Sequence, residues 1–297
     1  MSDFPDFYKS KVGYEIVQRG YDEALASWSI APQSVIVETR IAKTHILIAG
    51  ERCKPALFYF HGWNGNAAGN HTELDLQRLT KDYCVYMPDT PGQLGRSEAV
   101  RHDTKTNAYA DWAHDMLDEL RIERVTFSGV SGGGYLALKA TAHLGNRVER
   151  LLGVVSHGIP PASRPPLRFW LVVIRAAMTG KRGWHYFAQQ MGGPNPVSEE
   201  FKATIISINQ HYKPRGNPMP LHDDELRAIQ CPATFLFAKH DITMNVQATV
   251  DRAQKLIPQA DVRVLENQGH MLSVEGMRLV NDVLVKWAAS PDREDGA

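Results

Sequence analysis

The sequence predicts an α/β chain with a mostly parallel central sheet, helices on both faces and an inserted helical lid. Short apolar, β-prone runs alternate with helix-forming stretches over residues 34–156 and again over 232–287. One strand runs into its helix through a glycine-rich turn, Gly129-x-Ser131-x-Gly133. Between the two alternating regions, residues 157–222 carry no strand signal and are dense in proline and aromatic residues.

The elements follow in order. Residues 8–29 place Tyr14, Ile16, Val17, Tyr21, Leu25 and Trp28 at helix-like spacing, which predicts an N-terminal helical arm within residues 1–32. That arm suits a packing role, a dimer contact or part of a mouth. Residues 34–40 and 44–49 are β-rich, and the short Ile41-Ala42-Lys43 link makes them a hairpin. Residues 56–60 are continuously apolar, as in a strand buried on both faces. The strand closes on His61-Gly62-Trp63-Asn64-Gly65-Asn66, a turn able to leave the Trp63 N–H exposed, with His61 a packed structural residue. A helix over 70–82 would turn Leu74, Leu76 and Leu79 inward and Glu73, Asp75 and Arg78 outward.

The next strand, 83–87, ends in the turn-rich loop 88–97, where Asp89 and Arg96 read as a pair pinning the loop. An amphipathic helix over 107–121 buries Trp112, Met116, Leu117 and Leu120. It leads to the strand at 124–127, the glycine-rich turn, a helix over 135–142 and a strand over 151–156. Residues 157–222 then form the lid over the sheet's carboxyl edge, with Trp170 and Trp184 among its aromatics. The sheet resumes at 232–238, followed by Lys239-His240-Asp241, a helix over 246–256 and a last strand over 261–265. That strand ends at Gly269-His270-Met271, before a closing helix to Trp287. The core is therefore assigned to residues 33–156 and 223–289, and the polar tail 290–297 is expected to be flexible.

Composition narrows the partners. The chain has 297 residues, 43% of them hydrophobic, which is enough for a real core. Formal net charge is zero, so bulk charge makes no case for nucleic acid or an anionic membrane. Three cysteines are too few and too scattered for a disulfide framework. The apolar run 169–178 is too short to span a bilayer and contains Arg175. The N-terminus has no basic segment followed by an apolar one. These features together predict a soluble cytoplasmic protein, monomeric or homodimeric, with no metal and no cofactor.

The chemistry is concentrated at three predicted loops. A strand entering a helix through Gly-x-Ser-x-Gly is the setting of a nucleophile elbow, where the tight turn forces the serine to φ > 0 and exposes its hydroxyl. Residues two before and two after must lack a Cβ, and Gly129 and Gly133 do. Ser131, Asp241 and His270 each fall just past a strand's carboxyl end, in the order serine, acid, histidine. Serine alone is a poor nucleophile. A histidine must take its proton, and an acid must fix that histidine's tautomer. The N–H groups of Gly132 and Trp63 are the candidate oxyanion donors. Asn64, Trp170, Trp184 and Met271 are candidate substrate contacts.

With these residues in view, the chain resembles the α/β-hydrolase superfamily over about residues 33–289. The matching stretches are His61-Gly62-Trp63-Asn64-Gly65, Asp89-x-Pro91-Gly92-x-x-Gly95-Arg96-Ser97, Gly129-x-Ser131-x-Gly133, Asp241 and Gly269-His270. Glu38-Thr39-Arg40 with Lys43-Thr44-His45, and Asp223-Asp224-Glu225-Leu226-Arg227, are similar to intracellular bacterial carboxylesterases. The resemblance implies the α/β-hydrolase fold, the serine–acid–histidine triad and a hydrolase without cofactor. Two departures stand: the Asp-x-Pro-Gly loop is one residue longer than the common pattern, and Ala238 replaces the usual glycine before the acid. Neither removes a catalytic group. The expected reaction is cleavage of a carboxylic ester or lactone, with a bulky hydrophobic ester or macrocyclic lactone suiting the aromatic lid. A C–C bond hydrolase and a cofactor-free perhydrolase use the same triad. A ligand-binding protein that keeps the fold without turnover is the alternative of another class.

Overall fold

In the central strands, odd and even side chains pack into two separate cores, one on each face of the sheet. Phe58 and Phe60 enter one core and Leu57 and Tyr59 the other. The computed structural model describes residues 4–162 and 164–289, so the expected flexible tail lies outside the described residues.

Eight strands form one sheet in the order β1-β2-β4-β3-β5-β6-β7-β8. They are β1 (Gln33–Glu38), β2 (Lys43–Ala49), β3 (Ala56–Phe60), β4 (Cys84–Pro88), β5 (Val125–Val130), β6 (Val148–Val154), β7 (Ala233–Ala238) and β8 (Asp261–Leu265). The hairpin β1–β2 is antiparallel, as is β2 against β4, and every other pairing is parallel. Strands β3, β4, β5 and β7 are buried throughout, whereas β8 at the edge is mostly exposed. The continuous apolar runs in the sequence mark the strands covered on both faces.

On the face that buries Phe58 pack α3 (Ala108–Glu119), α4 (Gly132–Leu144), α7 (Asp223–Arg227) and α8 (Val246–Leu256). On the face that buries Tyr59 pack α1 (Lys11–Ala26), α2 (Leu76–Leu79) and α9 (Val274–Ala288). Between β6 and β7 the chain inserts α5 (Leu167–Gly192) and α6 (Glu199–His211). The insertion is helical as expected. It is built on one long element broken at Gly180, whose φ of 60° interrupts the helix.

The N-terminal helix packs against the body of the fold. Tyr14 and Val17 join Phe7, Tyr8 and Tyr212 in a small aromatic cluster, while Ile16, expected inside, is exposed. Tyr21 reaches the buried Asp89, donating its hydroxyl to Oδ2 at 2.9 Å. Asp89 also faces His45 Nδ1 at 2.9 Å and accepts from the N–H groups of Ala67 at 2.7 Å and Arg96 at 3.0 Å. Burial alone would raise its carboxyl, but the His45 hydrogen bond, the two imidazoles nearby and the Ala67 N–H hold it below its ordinary value. Asp89 therefore pins its loop, though through the Arg96 backbone. The Arg96 guanidinium pairs instead with Asp22 and lies 4.4 Å over the Tyr21 ring.

The helix expected over 70–82 is divided. A 3-10 helix, Ala67–Thr72, is followed by a break and then the single turn α2. Asn281 from α9 holds the break open, accepting from Asp75 N at 2.8 Å and donating to Glu73 O at 2.9 Å. Leu74, Leu76 and Leu79 are buried as expected, but Glu73, expected on the outer side, is half-buried and accepts the Tyr59 hydroxyl at 2.7 Å.

Burial pushes the Glu73 carboxyl from 4.5 up to about 7, with the Tyr59 bond pulling the other way. An unfolded Glu73 loses its proton near 4.5 and the folded one near 7, so folding binds a proton between those values. Stability therefore falls as pH rises through that window. Glu73→Gln keeps an acceptor for Tyr59 and removes the ionisation. We expect it to stabilise the fold by about 1 kcal/mol at alkaline pH, since half-burial limits the penalty, or about 2 °C in Tm. Thermal melts of both proteins at about pH 8 and about pH 5 check this, with most of the gain lost at the lower pH. An equal shift at both values would rule out ionisation as its cause.

Candidate active site

The strand order reverses at β3, whose neighbours are β4 on one side and β5 on the other. Loops leaving the carboxyl ends of β3 and β5 therefore diverge and open a crevice, the usual place for a ligand in an open α/β sheet. The loop after β3 carries Trp63, and the turn after β5 carries Ser131.

Ser131 caps α4 with φ 54° and ψ −116°, a strained conformation for a residue with a side chain. The glycines around it make room. A Cβ on Gly129 would stand 2.4 Å from the Gly133 carbonyl oxygen, and one on Gly133 only 2.0 Å from that of Phe60. The turn holds Ser131 Oγ 2.9 Å from His270 Nε2. His270 lies past β8, and its Nδ1 is 2.7 Å from Oδ2 of Asp241, past β7.

Asp241 is 2% exposed. Its Oδ1 accepts two hydrogen bonds from Thr243, one from N and one from Oγ1, each 2.7 Å. Burial alone would raise this carboxyl, but the nearness and hydrogen bond of the His270 imidazole and the Thr243 donors outweigh it and hold the group ionised below its ordinary value. An ionised carboxylate only accepts, so the His270 proton belongs on Nδ1. The Nε2 lone pair then faces the serine hydroxyl. This arrangement can take a proton from Ser131 and stabilise the imidazolium that results.

Gly132 follows Ser131, and Trp63 lies against it. A Cβ on Gly132 would come 2.6 Å from Trp63 Cβ, so the two backbones lie against each other. Among the described residues neither the Gly132 nor the Trp63 N–H has an acceptor. Gly132 also opens α4, where the helix dipole favours negative charge.

Two residues beside the site escape the sequence reading. Thr243 is one, and its Oγ1 lies 3.1 Å from His270 Nδ1 as well as on Asp241. The spacing Asp-x-Thr, which suits a local turn closed on the carboxylate, was the available signal. The other is His157, which also follows a strand's carboxyl end, the criterion that singled out the other three loops. Val155 at φ 41° turns the chain there, and His157 N donates to Ser131 O at 3.0 Å. Its ring lies 5.7 Å from that of His270. Burial and the neighbouring His270 lower its pKa to about 3, with Asp241 opposing, so His157 stays neutral where His270 would cycle. His157 and Thr243 line a pocket with Pro160, Asn217, Pro218 and Pro220. A separate cleft at Leu117, Arg121 and Arg147 lies at the amino ends of β5 and β6, on the opposite edge of the sheet.

The four candidate substrate contacts fare differently. Asn64 is committed elsewhere: its Nδ2 donates to Arg215 O at 3.0 Å and its Oδ1 accepts from Arg215 N at 2.6 Å. That tie straps the loop after β3 to the segment returning from α6. Trp170 is 45% exposed on α5, beside Phe169, and Trp184 packs half-buried against Phe187. No described contact brings either indole to Ser131 or His270. Met271 donates its N–H to Met191 O at 2.8 Å and so joins the histidine loop to the end of α5. At the other end of α5, the Arg168 guanidinium donates to the carbonyls of His240 at 3.2 Å and Asp241 at 3.0 Å. The insertion is thus bonded to both the acid and the histidine loops. His61, read as structural, is buried and accepts from Thr90 N at 3.0 Å. No group of three His, Cys, Asp or Glu among the described residues is placed to hold a metal ion.

Comparisons with known proteins agree with this architecture. The model of the alpha/beta hydrolase family matches residues 57–283. The carboxylesterase YbfK of Bacillus subtilis is 27% identical over 279 residues, covering 91% of this chain and 92% of that protein. The uncharacterized carboxylesterase nap of the same organism is 24% identical over 302 residues, covering 96% and 95%. Among solved structures, the naproxen esterase (carboxylesterase NP) of B. subtilis superposes with a TM-score of 0.78 at 22% identity, covering 96% of this chain and 99% of that one.

Proposed function

The chain belongs to the alpha/beta hydrolase family, and from that premise we propose that it is a serine carboxylesterase working through an acyl-enzyme. The observation that carries this reading is the relay of 2.9 Å from Ser131 Oγ to His270 Nε2 and 2.7 Å from His270 Nδ1 to Asp241 Oδ2. The name carboxylesterase borne by two similar chains, covered over nearly their full length, supports it.

In this reading Ser131 Oγ attacks the ester carbonyl while His270 Nε2 takes its proton. The charge developing on the carbonyl oxygen is met by the Gly132 and Trp63 N–H groups. His270 then returns its proton to the departing alcohol. Water repeats the cycle on the acyl-serine: its proton goes to His270, its hydroxyl to the acyl carbon, and Ser131 recovers its hydrogen. Asp241 keeps the imidazole oriented throughout, and Thr243 keeps Asp241 oriented. The insertion acts as a lid. The aromatic composition of the insertion is what suggests a bulky hydrophobic ester or macrocyclic lactone as its substrate.

A panel of p-nitrophenyl esters of increasing acyl length, paired with labelling by a fluorophosphonate, tests the proposal. Expected are turnover and a single label on the peptide containing Ser131. Label at Ser131 without turnover of any ester would overturn the esterase reading in favour of a C–C hydrolase or perhydrolase. Neither label nor turnover would point to a ligand-binding protein.

A further inference from the structure

Between His157 and Ser198 the chain holds five cations (Arg164, Arg168, Arg175, Lys181 and Arg182) and no carboxylate, although the whole sequence has a formal net charge of zero. All five side chains are on exposed residues. The neutrality of the chain hides a basic segment, and that segment is the first part of the insertion, through α5.

Helix α5 adds a second, independent feature. Leu167, Trp170, Leu171, Ile174 and Met178 recur at the spacing of one helical face. Their exposures are 74%, 45%, 58%, 54% and 79%. The opposite side, with Phe169, Val172 and Val173 half-buried and Ala176 buried, already packs inward. The first three turns of α5 are thus apolar on both sides, with only one side covered. Exposed apolar surface is unfavourable in water, so an uncovered stripe of this length calls for a partner.

Charge identifies that partner. Arg168 and Arg175 flank the stripe, and Arg164, Lys181 and Arg182 stand near its ends. Among the described residues none of the five pairs with a carboxylate: Arg168 is bonded to main-chain carbonyls, and Arg175 lies 4.0 Å over the Tyr186 ring. A second copy docked by the same face would set one basic row against another. An anionic phospholipid surface satisfies both features, taking the apolar stripe into its acyl–headgroup boundary and the cations onto its phosphates. No helix among the described residues is long and apolar enough to cross a membrane, so α5 would lie on the surface. We propose that the exposed Leu167–Met178 face of α5, with its arginine and lysine border, docks this protein on anionic phospholipid membranes. Whole-chain charge and spanning length, which predict no membrane partner, are blind to both features.

The test is co-sedimentation of the full chain with phosphatidylcholine vesicles, with and without phosphatidylglycerol. Partitioning independent of turnover keeps the result separate from the esterase reading. The wild-type protein is expected to sediment with the phosphatidylglycerol vesicles and to be released by high salt. An Ile174→Ser/Met178→Ser variant and an Arg164→Glu/Lys181→Glu/Arg182→Glu variant are each expected to bind at least about ten-fold more weakly. Melting curves establish that each variant is folded, and because the two alter different residues, one suffices if the other fails. The proposal is overturned if wild type ignores phosphatidylglycerol or if a folded variant binds as wild type does. It is also overturned if light scattering finds a dimer that Ile174→Ser/Met178→Ser splits without any lipid binding, since the face then joins two copies.

Discussion

Ser131→Ala is expected to lower kcat on the best p-nitrophenyl ester by about 10⁴- to 10⁶-fold while leaving KM within a few-fold of wild type. Alanine keeps the Cβ and loses only the oxygen that His270 Nε2 meets at 2.9 Å. The Gly132 and Trp63 N–H groups and the pocket remain, so substrate still binds and a residual acceleration over water survives. The same logic fixes what must not change. Backbone strain at φ 54° is common to serine and alanine, so the melting temperature of Ser131→Ala should match wild type. Ser131→Gly should lose as much activity yet gain roughly 1 kcal/mol of stability, because glycine adopts positive φ without penalty. Kinetics and thermal melts of the three proteins decide it. A Ser131→Ala enzyme that still turns over esters would mean that another nucleophile does the work.

What the sequence made legible, and what it hid, follows the range of the forces involved. Apolar runs at 56–60, 83–87 and 232–238 announced β3, β4 and β7 because these strands are covered on both faces, a local property of composition. The elbow was legible because its steric demand falls on two nearby glycines, and the Cβ clashes at Gly129 and Gly133 are the ones expected. Ser131, Asp241 and His270 could be paired by their place at strand ends, although 139 residues separate the serine from the histidine. The break before α2 was not legible, since Asn281, more than 200 residues away, supplies the bonds that replace helical ones. Asn64 looked like a site residue by position, but its partner Arg215 comes from the far side of the insertion. The aromatic residues of α5 suggested a pocket lining, whereas the spacing that exposes Trp170 with Leu167, Leu171, Ile174 and Met178 becomes telling only once the covered face is known.

Asp241→Asn is expected to lower kcat by about 10⁴-fold, through the histidine tautomer rather than through loss of the hydrogen bond. The two Thr243 donors, N and Oγ1, both point at Asp241 Oδ1 from 2.7 Å. An asparagine here must offer its carbonyl oxygen to them, because its NH₂ would face two donors. That choice turns the NH₂ toward His270 Nδ1, which must then accept. The imidazole proton moves to Nε2, opposite Ser131 Oγ, and no lone pair remains to take the serine proton. Thr243 thus converts a conservative change into the wrong tautomer. Thr243→Val in the wild-type background removes one donor and keeps the backbone N–H, so a loss of about ten-fold is expected. In the Asp241→Asn background the same change loosens the amide's orientation, so the double variant should lose less than the product of the two single effects. Steady-state kinetics on the four proteins measure this coupling. Strict multiplicativity would show that Thr243 supports the loop but does not set the proton on His270.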